Sequence, residues 1–376
     1  MNPDECVRQC GCLASQARLI CPPNPAVGCV LTTPEGVVLG QGATQATGGP
    51  HAEIMALRDA AQRGLAVAGA TAYVSLEPCA HQGRTGPCCD ALIAAGISRV
   101  VAALADPNPL VAGQGFARLR AAGVDVVVGP GATESFELNI GFFSRMVRKA
   151  PWVRMKLAAS LDGKTALDNG MSQWITGAAA RADGHAWRSR ACALLTGVGT
   201  VLQDNPRLDV RGLGPVRQPT LIVVDSELRT PPDALLFEAS RQVIFYAAQP
   251  DAGRQQALQA RGASVIYLGN LERKVDLTAM MRDLARREVN EVHVEAGHKL
   301  NGSLLHAGLV DELLLYLAPK MLGPGRDMAS LAPLTDLTQA TQLEFASTTM
   351  LGPDLRILAR VQGHESFLRD ALSLRK

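Results

Sequence analysis

Apolar runs alternate with amphipathic segments along the first 150 residues. Strands are predicted for AVGCVLT, VVLGQGAT, TAYVSL, SRVVAALAD and VDVVVG, and helices for residues 4–20, 51–63, 87–95, FARLRAAG and TESFELNIGFFSRMV. Prolines and glycines separate these segments, as at Cys21-Pro22-Pro23. Strands that alternate with helices indicate an α/β sheet with helices layered on it, and with ligand sites at the strand ends.

The second half repeats this alternation without an internal repeat of the first. Strands are predicted for PWVRMKLAASLDG, CALLTG, PTLIVVDS, RQVIFYA, ASVIYLG, VNEVHVEAG, DELLLYLAPKML, QLEFAS and LRILARV. Helices are predicted for TGAAARADGHAWRSRA, residues 252–261, residues 276–287 and KLNGSLLHAGLV, whereas GTVLQDNPRLDV is interpreted as a loop. A length of 376 residues suggests two domains, and Arg148-Lys149-Ala150-Pro151 marks their boundary. We therefore expect domains at 1–147 and 151–363, with a frayed end from His364.

Composition excludes several classes of partner. Apolar residues make up 47% of the chain and charged residues 19%, which fits a globular protein with sizeable cores. The net charge is only +2, and aromatic residues make up 4%. A nucleic-acid partner is therefore not expected, because neither a basic footprint nor a base-stacking surface is indicated. No apolar run of 18 residues occurs, so no membrane span or membrane partner is expected.

The chain has nine cysteines and begins with the acidic stretch MNPDEC. An odd cysteine count without a secretion signal indicates reduced thiols and a cytoplasmic location. Cys6 and Cys10 lie four residues apart on a predicted helix. They could form a second metal site, but a buried face of small residues is the favoured interpretation. Cys12 is assigned no role.

Three soft ligands and one carboxylate lie between Pro50 and Cys89. The ligands are His51, Cys79 and Cys88, and the carboxylate is Glu53. Catalytic zinc typically takes three protein ligands and leaves the fourth position to water, while a nearby carboxylate transfers protons. HAE alone is common, and cysteines are usually apolar core residues, but here HAE opens a helix, PC ends a strand and PCC opens the next helix. This combination predicts a hydrolase that removes ammonia from an amine-bearing ring.

The local chemistry of the two helix starts supports this interpretation. Pro87 suits the first helical position, which places Cys88 where the helix dipole favours a thiolate. His51 is expected at the very start of its helix, with Glu53 one step inside. Cys89 adjoins Cys88, so the third ligand is uncertain by one residue. A fourth ligand, His81 or Cys89, would instead close the site into a structural zinc module.

Two glycine-containing junctions stand out in the second half. Gly197-Val198-Gly199-Thr200 follows a predicted strand, and Glu295-Ala296-Gly297 precedes a predicted helix. GVGTVL lacks the third glycine of the dinucleotide fingerprint. A helix start can nevertheless bind phosphate, although a simple turn or cap is the alternative. We expect Gly297 to allow close approach of a phosphate and to adopt a backbone conformation that only glycine tolerates.

The motifs together resemble one family over nearly the whole chain, about residues 5–360. PNPAVGCV, HAE, LEPCAHQGRTGPCCDALI and DPNPLVAGQG are similar to the deaminase half of the bifunctional riboflavin-biosynthesis deaminase–reductases, and MKLAASLDGKTA, SQWIT, LLTGVGTVLQDNPRLDVR, VVDS and VEAGHKLNGSLL to the reductase half. Ala80 and Gly86 depart from the family's serine and proline, and neither is a ligand. The resemblance implies an N-terminal cytidine-deaminase-like α/β/α layered domain and a C-terminal dihydrofolate-reductase-like α/β domain.

The resemblance also implies the reactions. Zinc-dependent deamination of 2,5-diamino-6-(5-phosphoribosylamino)pyrimidin-4(3H)-one would be followed by reduction of the ribosyl chain with NADPH, giving 5-amino-6-(5-phosphoribitylamino)uracil. Zn²⁺ and NADPH are the expected cofactors, and the partner is this small-molecule substrate. A homo-oligomer is expected, with a dimer favoured. A base deaminase acting on nucleic acid is the remaining alternative, and the low charge counts against it.

Site residues follow from the resemblance position by position. Nucleotide contacts are expected at Ala158, Trp174, Thr200, Asp204, Ser226, Gly297, His298, Lys299, Leu300, Asn301, Gly302 and Ser303. Substrate contacts are expected at Asn24, Arg84, Asp106, Asn108, Ser172, Arg188, Leu208, Arg211 and Glu295. From the residues alone, a turn is the favoured interpretation of Asn24 and of Asp106–Asn108, and a lone tryptophan such as Trp174 is more often a core residue. Lys156 lies where the edge of an active site is expected, but it could equally extend along a strand edge with its ammonium in water. Arg84, Arg188 and Arg211 have forked donors that suit a phosphate.

Overall fold

The computed structural model describes residues 1–81, 86–108, 111–214 and 217–367. The chain forms two compact units, one of Met1–Lys149 together with Ser366 and Phe367, the other of Ala150–Glu365. These limits lie near the predicted boundaries, but the return of Ser366 and Phe367 to the first unit was not foreseen. In the described part of the chain, no helix has both the length and the apolar character that a membrane crossing requires.

The first unit contains a five-stranded sheet with the order β2-β1-β3-β4-β5. Its strands are β1 Gly28–Thr32, β2 Val38–Ala43, β3 Thr71–Val74, β4 Arg99–Ala102 and β5 Asp125–Val128. β1 is antiparallel to both β2 and β3, whereas β3, β4 and β5 are parallel. The segments that follow β3 and β4 therefore leave the sheet at the same edge.

Helices cover both faces of this sheet. They are α1 Pro3–Ala17, α2 Ala52–Gln62, α3 Cys88–Ala94, α4 Gln114–Ala121, α5 Ala132–Leu138 and α6 Ile140–Arg148. α1 packs on β1 where Gly28 faces Cys10, and α2 packs on β2 where Gly42 faces Ala52. Gly28 pairs with Ala43, the neighbour of Gly42, so the two helices lie on opposite faces. The α/β/α layering predicted from the sequence is confirmed.

The predicted single helix in TESFELNIGFFSRMV is wrong, because Asn139 divides it into α5 and α6. The buried Asn139 amide accepts from the Ala26 N–H at 2.7 Å and donates to the Ala26 carbonyl at 2.9 Å. This side chain therefore bonds a distant backbone as a strand would, and the helix is interrupted at that residue.

The cysteines of α1 are part of the core. Cys6 and Cys10 are buried with Val30 and Tyr73, and the Cys10 thiol donates to the Tyr73 carbonyl. Cys12 is exposed. The favoured interpretation of Cys6 and Cys10 as part of a buried face is confirmed by their burial.

The second unit has a nine-stranded sheet with the order β11-β10-β9-β8-β12-β6-β13-β16-β15. Its strands, with the separate pair β7 and β14, are β6 Trp152–Ser160, β7 Lys164–Leu167, β8 Ala193–Gly197, β9 Thr220–Val224, β10 Val243–Ala247, β11 Ser264–Tyr267, β12 Glu291–Val294, β13 Glu312–Ala318, β14 Gly325–Asp327, β15 Leu343–Leu351 and β16 Asp354–Val361. The strands from β11 to β13 in this order are parallel to one another, and β16 is antiparallel to both of its neighbours, β13 and β15.

The helices of the second unit are α7 Ala178–Arg190, α8 Val198–Asp204, α9 Ala252–Gln259, α10 Leu277–Arg286 and α11 His298–His306. The loop interpretation of GTVLQDNPRLDV is wrong in its first part, because α8 begins directly after β8. Val201 is buried in the core, and this tertiary contact overrides the weak helix propensity of a segment rich in glycine and β-branched residues.

A buried ion network joins four neighbouring strands of the second unit. Arg154 on β6 is 3% exposed and binds Glu291 on β12 at 3.0 Å as well as Glu312 on β13. Arg360 on β16 also binds Glu312, at 3.3 Å. Burial by itself lowers the pKa of Arg154, but Glu312 and Glu291 more than offset this and leave the pKa raised. The cation is therefore compensated only while these strands stay in register.

We expect Arg154→Met to lower the free energy of unfolding of the second unit by about 3–5 kcal/mol, because the buried Glu291 and Glu312 both lose Arg154, although Glu312 keeps Arg360. Urea denaturation followed by circular dichroism measures this. Arg254→Met is the control, since the exposed Arg254–Asp251 pair should contribute at most about 1 kcal/mol. Equal effects of the two substitutions would contradict a structural role for the buried network.

Candidate active sites

The start of α2 positions a histidine and a carboxylate. His51 is the N-cap residue, with an extended backbone, and its side chain makes no capping hydrogen bond. Glu53 is the second residue of the helix and is 3% exposed. The expected placement of His51 at the helix start, with Glu53 one step inside, is confirmed.

Two cysteines from other segments meet this histidine. His51 Nδ1 lies 3.6 Å from Cys79 Sγ and 3.3 Å from Cys88 Sγ, and the three atoms lie within 4.8 Å of one another. Cys88 is the first residue of α3, one position earlier in the helix than expected, because Pro87 is the N-cap. One imidazole nitrogen and two sulfurs form a donor set that suits zinc.

The geometry separates Cys88 from its neighbour Cys89. The Cys89 thiol donates to the Cys79 carbonyl at 3.0 Å and is not part of the three-atom group. His81 is exposed. Within the described ranges the group has no fourth His, Cys, Asp or Glu, so its geometry favours an open, catalytic site over a closed, structural one.

The electrostatics of the group already favour a thiolate. The hydrogen bonds from Cys88 and His51 outweigh burial and lower the pKa of Cys79 to about 4. The pKa of Cys88 is raised, because its hydrogen bond to Cys79 and its burial both disfavour a second thiolate. Burial raises the pKa of Glu53 to about 7, although His51 opposes it. A carboxyl group with such a pKa can both accept and donate a proton near neutral pH.

A second buried carboxylate, Glu77, was not identified from the sequence. It is 4% exposed and follows β3, two residues before Cys79. Its two oxygens accept four backbone N–H groups at 2.9–3.3 Å, those of Asp106, Gly113, Gly115 and Phe116. At Gly115 an added Cβ would lie 2.0 Å from the Pro78 carbonyl oxygen, so this close approach requires glycine. The sequence signal that could have identified Glu77 is a charged residue at the end of an apolar strand.

The expected substrate residues of the first unit lie in turns. The Asp106 side chain accepts from the Asn108 N–H at 2.8 Å, and the Asn24 N–H donates to the Cys21 carbonyl. Asp106 is 7% exposed, and its burial raises its pKa to about 7. Asp106 also interacts electrostatically with His51, which places it near the ligand group. Arg84 lies outside the described residues.

The second unit contains a cleft of about 1270 Å³ at the carboxyl ends of β6, β8 and β12. Most of the residues expected at the two ligands line this cleft. They are Ala158, Ser172, Trp174, Arg188, Thr200, Asp204, Leu208, Arg211, Glu295, Gly297, His298, Lys299, Leu300 and Asn301. Trp174 is 66% exposed, which contradicts the interpretation of this residue as core.

Three expected cofactor residues are not among the lining residues. Ser226 accepts from the Val275 N–H at 3.3 Å, and the Ser303 hydroxyl donates to the Lys299 carbonyl within α11. At Gly302 an added Cβ would lie 2.1 Å from the Ser330 carbonyl oxygen. The structure therefore explains Gly302 by packing.

The expectation that Gly297 needs a glycine-only backbone is wrong. Its φ of −76° and ψ of 163° are open to any residue, and an added Cβ would meet only Thr200 Oγ1, at 3.6 Å. What Gly297 provides is open space in front of the α11 N–H groups.

Arg188 and Glu295 form a double ion pair at the cleft. Arg188 Nε and Nη2 donate to the two Glu295 oxygens at 2.7 and 2.9 Å, and Nη1 donates to the Asp209 carbonyl. Lys156 Nζ lies 3.9 Å from Glu295. Burial would raise the pKa of Glu295, but Arg188 and Lys156 outweigh it and hold the pKa well below its ordinary value. The Arg188 guanidinium is thus oriented before any ligand binds.

Further cations line the cleft from separate elements, so no periodic pattern could have identified them together. They are Lys156, Arg181, Arg207, Arg229 and Arg326. The Arg181 guanidinium lies 4.3 Å from the centre of the Trp174 indole ring. Such a concentration of cations suits an anionic, phosphate-bearing ligand.

Comparison with known proteins matches both units. The model of the cytidine and deoxycytidylate deaminase zinc-binding region matches residues 1–104, and the RibD C-terminal domain matches residues 151–357. Riboflavin biosynthesis protein RibD of Escherichia coli strain K12 is 44% identical over 356 residues, which cover 91% of this chain and 95% of that protein. RibD of Aquifex aeolicus is 37% identical, with 89% and 92% covered.

Solved structures agree over the whole length. RibD of Acinetobacter baumannii superposes with a TM-score of 0.86 at 36% identity, covering 96% of this chain and 98% of that one. The diaminohydroxyphosphoribosylaminopyrimidine deaminase/5-amino-6-(5-phosphoribosylamino)uracil reductase of Thermotoga maritima gives a TM-score of 0.85 at 30% identity, with 95% and 98% covered. A deaminase fold followed by a reductase fold is thereby confirmed, and the chain belongs to the RibD family of bifunctional riboflavin-biosynthesis deaminase–reductases.

Proposed function

We propose that the two sites catalyse consecutive steps on one small molecule. The first would deaminate 2,5-diamino-6-(5-phosphoribosylamino)pyrimidin-4(3H)-one, and the second would reduce the ribosyl chain to give 5-amino-6-(5-phosphoribitylamino)uracil. The chain is a hydrolase and an oxidoreductase of riboflavin biosynthesis, with Zn²⁺ and NADPH as cofactors. The observation that carries the proposal is the open His51–Cys79–Cys88 group beside a buried carboxyl, in a chain that also has a cationic cleft.

In the deaminase, His51, Cys79 and Cys88 would hold zinc, which when bound makes water nucleophilic near neutral pH. Glu53 lies buried beside Cys88 and would move protons between this water and the departing amine. Its raised pKa matters because the same oxygen must accept a proton and then release it. Glu53 is not part of the group formed by His51, Cys79 and Cys88, so we assign it the catalytic role rather than that of a metal ligand.

The substrate would be oriented by the turns around this group. Glu77 fixes the backbone at Asp106, and Asp106 in turn fixes Asn108. We assign Asp106 and Asn108 to the ribose-phosphate end of the substrate, and we assign Arg84 as a hydrogen-bond donor to the phosphate. Asn24 is assigned to the edge of the pyrimidine ring, where an amide can both donate and accept.

In the reductase, the chain binds and orients the two reactants, and NADPH supplies the hydride when bound. The N–H groups at the start of α11 and the cations Lys299 and Arg326 suit its phosphates. Ala158, Trp174, Thr200 and Asp204 complete the lining, and Ser226, Gly302 and Ser303 support it from outside the cleft. Ser172, Arg188, Leu208, Arg211 and Glu295 are assigned to the substrate, with Arg211 exposed and Arg188 pre-oriented by Glu295.

We also propose that residues 1–147 and 151–363 act as separate catalytic domains, in the cytoplasm and without a nucleic-acid partner. Nine free cysteines fit a reducing compartment, which cell fractionation can check.

We expect the chain to be a homodimer. Strand β15 is the edge of the nine-stranded sheet, and its Leu343, Phe345 and Met350 side chains are 40%, 74% and 61% exposed. An exposed edge strand with apolar side chains favours pairing with another chain. Light scattering should give twice the chain mass of 39.7 kDa. A monomer at micromolar concentration would show that this edge is unpaired.

Glu53→Gln should uncouple the two reactions in the full-length protein. We expect ammonia release from the diamino substrate to fall at least about 100-fold, because the proton carrier is lost. Zinc content should stay normal, and so should NADPH oxidation with the already deaminated substrate. The wild type, given the diamino substrate and NADPH, should release ammonia and oxidise NADPH. Loss of zinc, or loss of the reductase step, would refute the role of Glu53 or the separation of the sites.

Cys88→Ser should lose most of its zinc, with Cys89→Ser as the matched control. Serine is a much poorer zinc ligand than a thiolate, and Cys88 Sγ lies 3.3 Å from His51 Nδ1. Cys89 is equally buried, but its thiol donates to the Cys79 carbonyl and is outside the three-atom group, so its replacement should leave zinc in place. Elemental analysis of both dialysed variants decides this. The reverse result would make Cys89 the third ligand.

A further inference from the structure

One wall of the reductase cleft is a loop with an unfavourable backbone. The loop Asn205–Arg211 follows α8, and Pro206, Arg207, Leu208 and Arg211 line the cleft. Two of its residues have left-handed backbones, Asn205 with a φ of 39° and Leu208 with a φ of 54°. Asparagine tolerates this region, but leucine rarely adopts it. Contacts from outside the loop must therefore stabilise its shape.

The two ends of the loop have such contacts. The Asn205 side-chain oxygen accepts from the Leu235 N–H at 2.9 Å. The Gln218 amide binds both the N–H and the carbonyl of Val210, at 2.7 and 2.9 Å. Neither contact reaches the left-handed residue Leu208, whose own backbone carbonyl is bound by a different side chain.

That side chain is Arg241, which lies just before β10. Its guanidinium donates to the carbonyls of Leu208, Arg207 and Leu236, the last two at 2.6 and 3.2 Å. Arg241 is not among the residues that line the cleft. Its Nε is buried without a hydrogen-bond partner in the described chain, so the forked end alone determines its contacts.

We propose that Arg241 is a positioning residue of the reductase. By binding the carbonyls of Arg207 and Leu208 together, it stabilises the left-handed turn that presents Leu208, Arg207 and Arg211 to a phosphate-bearing substrate. This inference rests on the proposed reductase function of the cleft. A planar guanidinium can bind several carbonyls in fixed directions, which the single ammonium of lysine cannot reproduce.

The test is Arg241→Gln in the full-length protein, assayed with saturating NADPH and varied 5-amino-6-(5-phosphoribosylamino)uracil. We expect KM for this substrate to rise about 10-fold, with a smaller change in kcat, because a substrate-binding surface is lost rather than a reacting group. The dissociation constant of NADPH should stay within about twofold, since the start of α11 is untouched. Arg241→Lys should recover only part of the loss.

Arg261→Gln is the matched control. Arg261 donates to the Pro232 carbonyl at 2.8 Å and packs over the Phe237 ring, on the segment that also carries Leu236, but it has no hydrogen bond to the loop. The KM of the Arg261→Gln protein for the same substrate should be unchanged, even where its melting temperature falls.

A double substitution tests whether the effect of Arg241 on KM depends on the backbone conformation of residue 208. Glycine adopts positive φ without strain. In a Leu208→Gly protein, which itself has altered substrate binding, the further effect of Arg241→Gln on KM should therefore be smaller than in the wild type.

The outcomes distinguish failure of the proposed reductase function from failure of the proposed role of Arg241. A wild type that does not oxidise NADPH with this substrate would refute the proposed reductase function. An active wild type with an unchanged KM in Arg241→Gln would overturn the role of Arg241. A rise in KM together with a similar rise in the NADPH dissociation constant and a lower melting temperature would also overturn it, since that pattern indicates a general structural role. Where Arg241→Gln melts too low to assay, Arg241→Lys provides the same comparison.

Discussion

Both sites depend on one constraint, which is that parallel strands end at a common edge of their sheet. Segments that follow neighbouring strands therefore meet there, however far apart they lie in the chain. In the first unit this brings Glu77 and Cys79, after β3, close to Asp106, after β4. In the second unit it brings Gly197 and Glu295 to one cleft. The remaining groups come from helix starts, whose N–H groups and dipoles favour thiolates and phosphates.

Compensation of buried charge connects the second sheet to its cleft. Arg154 is neutralised by Glu291 and Glu312 inside the sheet, and Glu295 is kept ionised by Arg188 at the cleft. The pairing with Glu295 orients the Arg188 guanidinium, and within the described ranges the more exposed arginines of the cleft, which suit the proposed phosphate-bearing ligands, have no such buried carboxylate partner. The sheet interior and the ligand cleft thus use the same rule, that a charge removed from water needs an opposite charge beside it.

The sequence allowed prediction wherever local chemistry decides the structure. The N-cap at His51, the first turn at Cys88 and most long amphipathic helices follow from neighbouring residues. Long-range contacts could not be predicted: Asn139 breaks a helix because it bonds Ala26, 113 residues away. Glu77 was missed for the same reason, since its donors come 29 to 39 residues later. In the cleft, most of the residues that the resemblance supplied are lining residues, but it did not supply Arg181, Arg207, Arg229 and Arg326, which come from separate elements.

Glu77 has a consequence for how the deaminase site can change. It binds the backbone of Asp106 and of the start of α4, and it lies two residues before Cys79, which we propose as a metal ligand. Glu77 therefore joins the segment of the proposed metal ligand to the turn that we assign to the substrate, so that a shift of one backbone displaces the other. Substrate preference can then diverge through side chains placed on this fixed frame, whereas inserted or deleted residues beside Glu77 would disturb metal binding as well.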